Sequence, residues 1–278
     1  MKKIINITVP LIVIALVAFF SYKTYKSSME LESINRAYYE AQSDISELIK
    51  RKFESVLSTL TLGMVETKSD EKVDLNKLKA KQIVLQEQSN KWMIYLSIVV
   101  AASLLLYFLL SLSSFSFMVA SISIITLIFG IITPILMIVI HKNVNYLGDI
   151  VLSFESKTIV ATISHLYHNG NYPVAIVILL FSIIVPFIKS LSMLSVVIWK
   201  ELHIAQKLVK FFKYLGKWSM LDVFVVSLLL VYLSAGSSEN SYSQIQNGTY
   251  IFLIYVIVSI ITSISVERLL KKSSNSSI

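Results

Sequence analysis

Cysteine is absent from all 278 residues, which excludes disulfide scaffolds, cysteine-based zinc sites, iron–sulfur clusters and any cysteine nucleophile. Charge is scarce too. Only 15% of residues are charged, against about a quarter in soluble domains, and Trp92 through Ile140 carries no charged side chain. Histidine is confined to His141, His165, His168 and His203. His165 and His168 share an i,i+3 spacing, but no carboxylate nearby completes a ligand set, so they read as ordinary outer-loop residues and no metal is expected. A phosphate-cradling Gly-rich loop with lysine, H-E-x-x-H and G-x-S-x-G are all missing. No serine has a base beside it. No cofactor is expected, and an enzyme is the weakest reading.

What the chain has instead is apolar residues, 55% of the total, gathered into runs. Crossing the hydrocarbon core takes about 20 residues, so the runs predict an all-α polytopic membrane protein with about six transmembrane helices. The spans fall at Ile4 to Phe20, Trp92 to Leu112, Phe115 to Ile140, Pro173 to Ile198, Trp218 to Ala235 and Thr249 to Val266. The first has about 17 residues and no A-x-A site after it, so a retained anchor is favoured over a cleavable signal. Pro173 suits a helix start. Pro134 and Pro186 lie inside their spans and predict kinks. Between the second and third spans the only interruption is polar: Ser111, Ser113, Ser114 and Ser116.

The net charge of +8 follows membrane topology better than nucleic-acid binding, and no nucleic-acid partner is expected. With the N-terminus inside, the loop from Ile198 to Trp218 is cytoplasmic and holds Lys200, Lys207, Lys210, Lys213 and Lys217 against Glu201. Arg268, Lys271 and Lys272 follow the last span. The outer loop from His141 to Tyr172 balances Lys142 and Lys157 with Asp149 and Glu155, and that after Ala235 has only Glu239. This is the positive-inside pattern with both termini cytoplasmic.

Residues 23–91 hold 12 basic and 11 acidic side chains and are placed outside as a helical hairpin. Ile34, Tyr38, Ala41, Ile45, Ile49, Phe53, Val56 and Leu60 form a helical stripe between Met29 and Gly63. Glu66 to Glu71 reads as the turn. Leu75, Leu78, Leu85 and Trp92 continue as a second helix running into the second span. The stripe needs cover, either within the hairpin or from a homo-oligomer or another envelope protein. Its register slips near Ile45 and Ile49, so a strict heptad is not supported.

Charge inside a span is expensive and therefore informative. Lys189 lies three residues after Pro186, and Asp222 lies four residues into the fifth span. In the topology above they sit at similar inner depths and could pair. Snorkelling of Lys189 and first-turn placement of Asp222 are the plain alternatives to a role in gating or substrate passage.

Gly216-Lys217-Trp218-Ser219-Met220-Leu221-Asp222-Val223-Phe224 resembles the signature of the paraquat-inducible protein A family. Ser182-Ile183-Ile184-Val185-Pro186-Phe187-Ile188-Lys189 resembles that family's S-x-x-x-P-x-x-K span. The stretch Ser156 to Thr162 with Leu166-Tyr167-His168-Asn169-Gly170, and the closing span from Gly248 to Leu269, are similar to it as well. The likeness covers about Phe115 to Leu270 and divides the chain into an anchor (1–22), an outer hairpin (23–91), an additional span (92–114), a four-span module (115–270) and a cytoplasmic tail (271–278). It implies an inner-membrane protein that works with MCE-family tunnels to move lipids across the periplasm. It also carries Pro186, Lys189, Trp218, Ser219 and Asp222 over as the polar core of the module or lipid path. Unlike familiar members, the chain has no paired cysteines and only one copy of the module.

Three functions stay open on the sequence: intermembrane lipid transport with membrane lipids and an MCE protein as partners, an envelope scaffold or assembly factor acting through the hairpin, and a small-solute or ion transporter gated by Lys189 and Asp222.

Overall fold

A computed structural model describes residues 2–59, 75–144, 148–199 and 241–275. It is the predominantly helical, polytopic architecture that the apolar runs require. Five helical stretches are long and apolar enough to cross a membrane: Ile4–Gln42, Leu75–Phe108, Leu112–Ile132, Tyr172–Ile198 and Asn247–Lys272. The expected span Trp218 to Ala235 lies outside the described residues, as do the Gly63 stop and the Glu66 to Glu71 turn.

Helix α1, Lys2–Thr59, runs unbroken through the expected boundary at residue 22 and is about 87 Å long at 1.5 Å per residue. Helix α2, Leu75–Leu105, returns alongside it. Their contact has a repeat close to 3.5 residues. On α1 the buried positions include Val17, Ser21, Thr24, Ser28 and Leu31, with Ser27 buried beside them and Asn35 turned to Met137, and on α2 they are Ser89, Met93, Leu96, Val100 and Ser103. That spacing keeps one seam facing the partner helix. Many of these residues are small and polar, which lets helices approach closely in lipid, where apolar burial gives little drive.

A 3-10 turn, Leu106–Phe108, ends the descent. Ser111 then caps helix α3, Leu112–Ile132, its Oγ accepting from the Ser114 N–H at 3.3 Å. The serine interruption is thus a helix start, since a capping hydroxyl takes up an otherwise orphaned N–H.

The third span does not reach Ile140 as expected. Pro134 ends α3 instead of kinking it, because a residue before proline is pushed out of the helical region. Thr133 accordingly sits at φ −80°, ψ 143°. The outer loop expected from His141 to Tyr172 is likewise corrected, since much of it is ordered in a strand pair and a helix. Strands β1, Leu136–Val144, and β2, Gly148–Lys157, form an antiparallel hairpin, and β3, Ser241–Ile245, pairs with the other edge of β1. Met137 and Val139 pack toward Tyr39 of α1 and Phe154. Leu136 and Ile138 face the opposite way, into a cluster with Ile131, Ile159, Leu166 and Tyr255. The sheet is therefore a small layer lodged between the emerging α1 and the helical core.

Helix α4, Ile159–His168, buries Ile159, Thr162 and Leu166. Thr158 caps its start, Oγ1 accepting from the Ala161 N–H at 3.0 Å. At its end Gly170 takes φ +79°, while Gly170 N–H donates to Tyr167 O at 3.2 Å and Asn171 N–H to Leu166 O at 3.0 Å. These two bonds make a Schellman cap. The chain then turns into α5, Tyr172–Leu179, and α6, Val185–Ile198. Helix α7, Asn247–Asn275, lies antiparallel to α3. Gly130 allows the two backbones to come close, and a Cβ there would meet Phe252 Cα and N at 3.1 Å.

The two ends of the bundle differ. One holds the sheet and the projecting parts of α1 and α2. At the other, Asn6 Oδ1 accepts from the Ser111 N–H at 3.1 Å, and Arg268 Nη1 donates to Tyr107 Oη at 2.7 Å. The end of α6 belongs there, since Met193, Val196 and Val197 pack with Leu112, Val266 and Leu269. Ile198 and Ser241 thus lie at opposite ends.

Two glycine substitutions separate the causes of local stability. At Gly248 an added Cβ would fall on the carbonyl oxygens of Thr133 and Pro134, so Gly248→Ala should cost about 1–3 kcal/mol through overpacking. At Gly170 the surroundings are open, so Gly170→Ala should cost only about 1–2 kcal/mol, from the left-handed backbone alone. Unfolding in mixed micelles measures both. Replacing Gly170 by Asn should recover part of the loss, and no such recovery is expected at Gly248.

Candidate functional site: a polar core around Lys189

The site is built on a span that is not a regular helix. Between α5 and α6, residues Leu180–Ile184 form a π turn in which the Val185 N–H reaches back five residues to Leu180 O. Pro186 follows at the start of α6. Proline removes an N–H and its ring crowds the preceding turn of an ordinary helix. A widened turn placed just before it relieves that conflict, and such turns often mark functional sites. Proline at position 134 ends a helix. At position 186 it is carried within one.

The buried face of α6 holds Pro186, Lys189, Ser190, Met193, Val196 and Val197. Lys189 is 8% exposed, so it does not project into lipid from the helix surface. The side chain is covered by protein over most of its surface. An ionisable group kept inside a spanning bundle is expensive unless its surroundings serve it. Ser190, its neighbour, bonds across to α3, Oγ to Ser123 Oγ at 3.2 Å. On α3, Ser116 lies two turns before Ser123. Its Oγ is buried with no hydrogen-bond partner. Thr126 Oγ1 donates within its own helix, to Ile122 O at 2.8 Å. Ser182, in the π turn, is also buried. The bundle thus carries one buried cationic side chain on the α6 face that bonds α3 through Ser190, with further buried hydroxyls along α3 and in the π turn.

Of the residues expected from sequence, Pro186 and Lys189 come together on this face. Trp218, Ser219 and Asp222 lie outside the described residues. Ser123, Ser182 and Ser190 were missed. The available signal was the spacing of Ser116, Ser123 and Gly130, seven apart and hence on one face of α3. Among the described residues, no group of three or more His, Asp or Glu side chains could hold a metal ion.

A second polar cluster ties the hairpin to this bundle. Asn247 Nδ2 donates to Ser89 Oγ at 2.7 Å and to Ser28 Oγ at 3.3 Å, and the two hydroxyls are 3.1 Å apart. All three residues are buried. They join α1, α2 and the first turn of α7.

Residues 149–271 match the family profile described as Paraquat-inducible protein A. That stretch of the chain is similar to the paraquat-inducible protein A family. The match begins within β2 and takes in β3, α4 to α6 and most of α7, while α1, α2, α3 and β1 precede it. The resemblance read from sequence started further upstream, at Phe115. The chain is 30% identical over 129 residues to the Intermembrane transport protein PqiA of Escherichia coli strain K12, covering 43% of this chain and 30% of that relative. The same figures hold for proteins of the same name from Escherichia coli O6:H1 and Shigella flexneri. The chain thus spans about 30% of the length of the curated relatives it matches. No solved structure matches.

The Ser123–Ser190 bond should be modest in energy. Ser123→Ala and Ser190→Ala, alone and together, should give a coupling of about 0.6 kcal/mol in a double-mutant cycle, the usual size for interhelical hydrogen bonds in membranes. Steric-trapping or denaturant measurements in bicelles check it, and a coupling near zero would show that the pair does not hold α3 to α6.

Proposed function

We propose that this multi-pass protein sits in the inner membrane and is a component of an intermembrane lipid transport system, passing lipids to or from an MCE-type periplasmic tunnel. The observation that carries the reading is the kinship of residues 149–271 to relatives named as intermembrane transport proteins. The buried Lys189 within that stretch supports it, because a lipid phosphate is a natural partner for a cation held at membrane depth. Asp222, one crossing away in the expected topology, would balance Lys189 when no lipid is present. Trp218 and Ser219 would stand at the inner interface beside it. The opposite placement of Ile198 and Ser241 supports a sixth crossing between them.

Orientation with both termini cytoplasmic is part of this proposal. It puts Arg268, Lys271 and Lys272 on the side that favours positive charge and the sheet and hairpin in the periplasm. A second reading, an envelope scaffold or assembly factor, is favoured by one specific feature, the continuation of α1 and α2 well beyond the sheet. A homo-oligomer assembled on the hairpin would fit either role.

Native mass spectrometry of the purified protein should report bound phospholipid, together with an MCE-type partner when membranes are extracted gently. Lys189→Ala should lower lipid transfer about tenfold, corresponding to ~1.4 kcal/mol, while the fold survives. Protein free of lipid, with transfer unchanged by Lys189→Ala, would sink the transport reading and leave the scaffold. Orientation is checked with the cysteine-free chain. Glu87→Cys should react with an impermeant maleimide in right-side-out vesicles, and Lys272→Cys only after lysis. The reverse pattern would invert the topology.

A further inference from the structure

The hairpin has a chemical feature of its own, outside the family-matched residues. Where α1 leaves the apolar run that starts at Ile4, Lys23 lies with Nζ 5.7 Å from the Phe19 ring and 5.8 Å from the Trp92 ring. About 28 Å of helix separates Ile4 from Lys23 at 1.5 Å per residue, close to the thickness of the hydrocarbon core. Trp92 begins the apolar run of α2 at the same level. Phe20 and Tyr95 complete the cluster, with ring centroids 6.1 Å apart, and Tyr95 packs edge-on to Trp92 at 5.9 Å. The cluster is not a sealed core: Phe19 and Tyr95 are both about half exposed.

The charges around it are uneven. Lys26 reaches Glu30 at 3.9 Å, but Lys23 forms no ion pair among the described residues. Lys91, next to Trp92, is exposed. Two rings fix the position of the Lys23 ammonium through their negative faces, yet leave its N–H groups to be satisfied from outside the protein. At that depth the available acceptors are phospholipid phosphates.

We propose that Lys23, Trp92 and Tyr95 form a binding site between α1 and α2 for the phosphate of an anionic phospholipid headgroup, on the membrane face where the hairpin and the sheet stand. The rings position the cation, the cation takes the phosphate, and the exposed Phe19 and Ile98 lie along the acyl chains. The site deepens the lipid-handling reading by naming the headgroup class and the leaflet, and it rests on that reading only for its purpose.

Because the experiment measures binding, its failure is separable from failure of transport. The full chain is placed in vesicles of phosphatidylcholine containing a small fraction of either phosphatidylglycerol or phosphatidylcholine brominated near the headgroup. The Trp92 signal is taken as the fluorescence lost in Trp92→Phe. One cation near the surface contributes about 1 kcal/mol toward an anionic lipid, so brominated phosphatidylglycerol should be enriched about fivefold over brominated phosphatidylcholine. Lys23→Gln should bring the ratio to one without changing quenching by phosphatidylcholine, which also reports that the helices still insert. Lys23→Arg and Lys26→Gln should keep the preference. Equal quenching by the two lipids in the parent chain, or a preference that survives Lys23→Gln, would overturn the site. So would loss of the preference on adding inorganic phosphate at constant ionic strength, since the site would then take a free anion rather than a lipid.

Discussion

A backbone that stops being helical inside the protein must find partners for every N–H and C=O it buries, since no water reaches them there. Everything at the sheet end answers that demand at one corner, Thr133–Pro134–Ile135. Ile135 N–H donates to Lys157 O at 3.0 Å, which seats the end of β2. Pro134 O accepts from Gly248 N–H at 2.8 Å, and Ile135 O accepts from both Gln246 N–H at 2.9 Å and Thr249 Oγ1 at 2.7 Å. Four bonds thus fix β2, β3 and the start of α7 to the end of α3. Gly248 is required because nothing larger than hydrogen fits between the start of α7 and those carbonyls. Once that corner is set, α7 can only run antiparallel to α3, and α6 must close against both.

Beside the apolar clusters between the helices, small polar residues join them at defined points. Ser123 with Ser190 joins α3 to α6, and Ser28, Ser89 and Asn247 join the hairpin to α7. Each bond is weak in membranes, but each also fixes a register, because a hydroxyl shifted by one turn would be left without its partner in a low-dielectric interior. Lys189 lies beside one of these contacts, so the group with the most demanding surroundings is carried by the segment whose register is best defined.

The approximate positions of five spans, and of a lysine within one of them, were legible in the sequence because each rests on composition or on a local rule. Length and apolarity identify a membrane helix, and a lysine within one announces itself. The strand from Leu136 to Val144 was not legible. It follows α3 with only Thr133 and Pro134 to mark a change, and because Leu136 to Val139 pack on both faces it lacks there the polar alternation that signals a strand. The α1 seam was hidden for the opposite reason: its buried positions Ser21, Thr24 and Ser28 are polar, and a search for apolar stripes passes over them. The π turn could not be read from Pro186 alone, since proline also permits a kink or, as at Pro134, an end.

Helix α1 is continuous from Lys2 to Thr59, and beyond Pro10 it carries no proline to bend it. It behaves as a stiff lever whose fulcrum is the Ser28 clasp. The arm from Ser28 to Thr59 is about 46 Å and the arm back to Pro10 about 27 Å. A tilt of roughly 10° would carry the far end by about 8 Å and Pro10 by about 5 Å in the opposite sense. The two arms cannot move independently, so force applied to the projecting hairpin arrives across the bilayer as mechanical work on the first span.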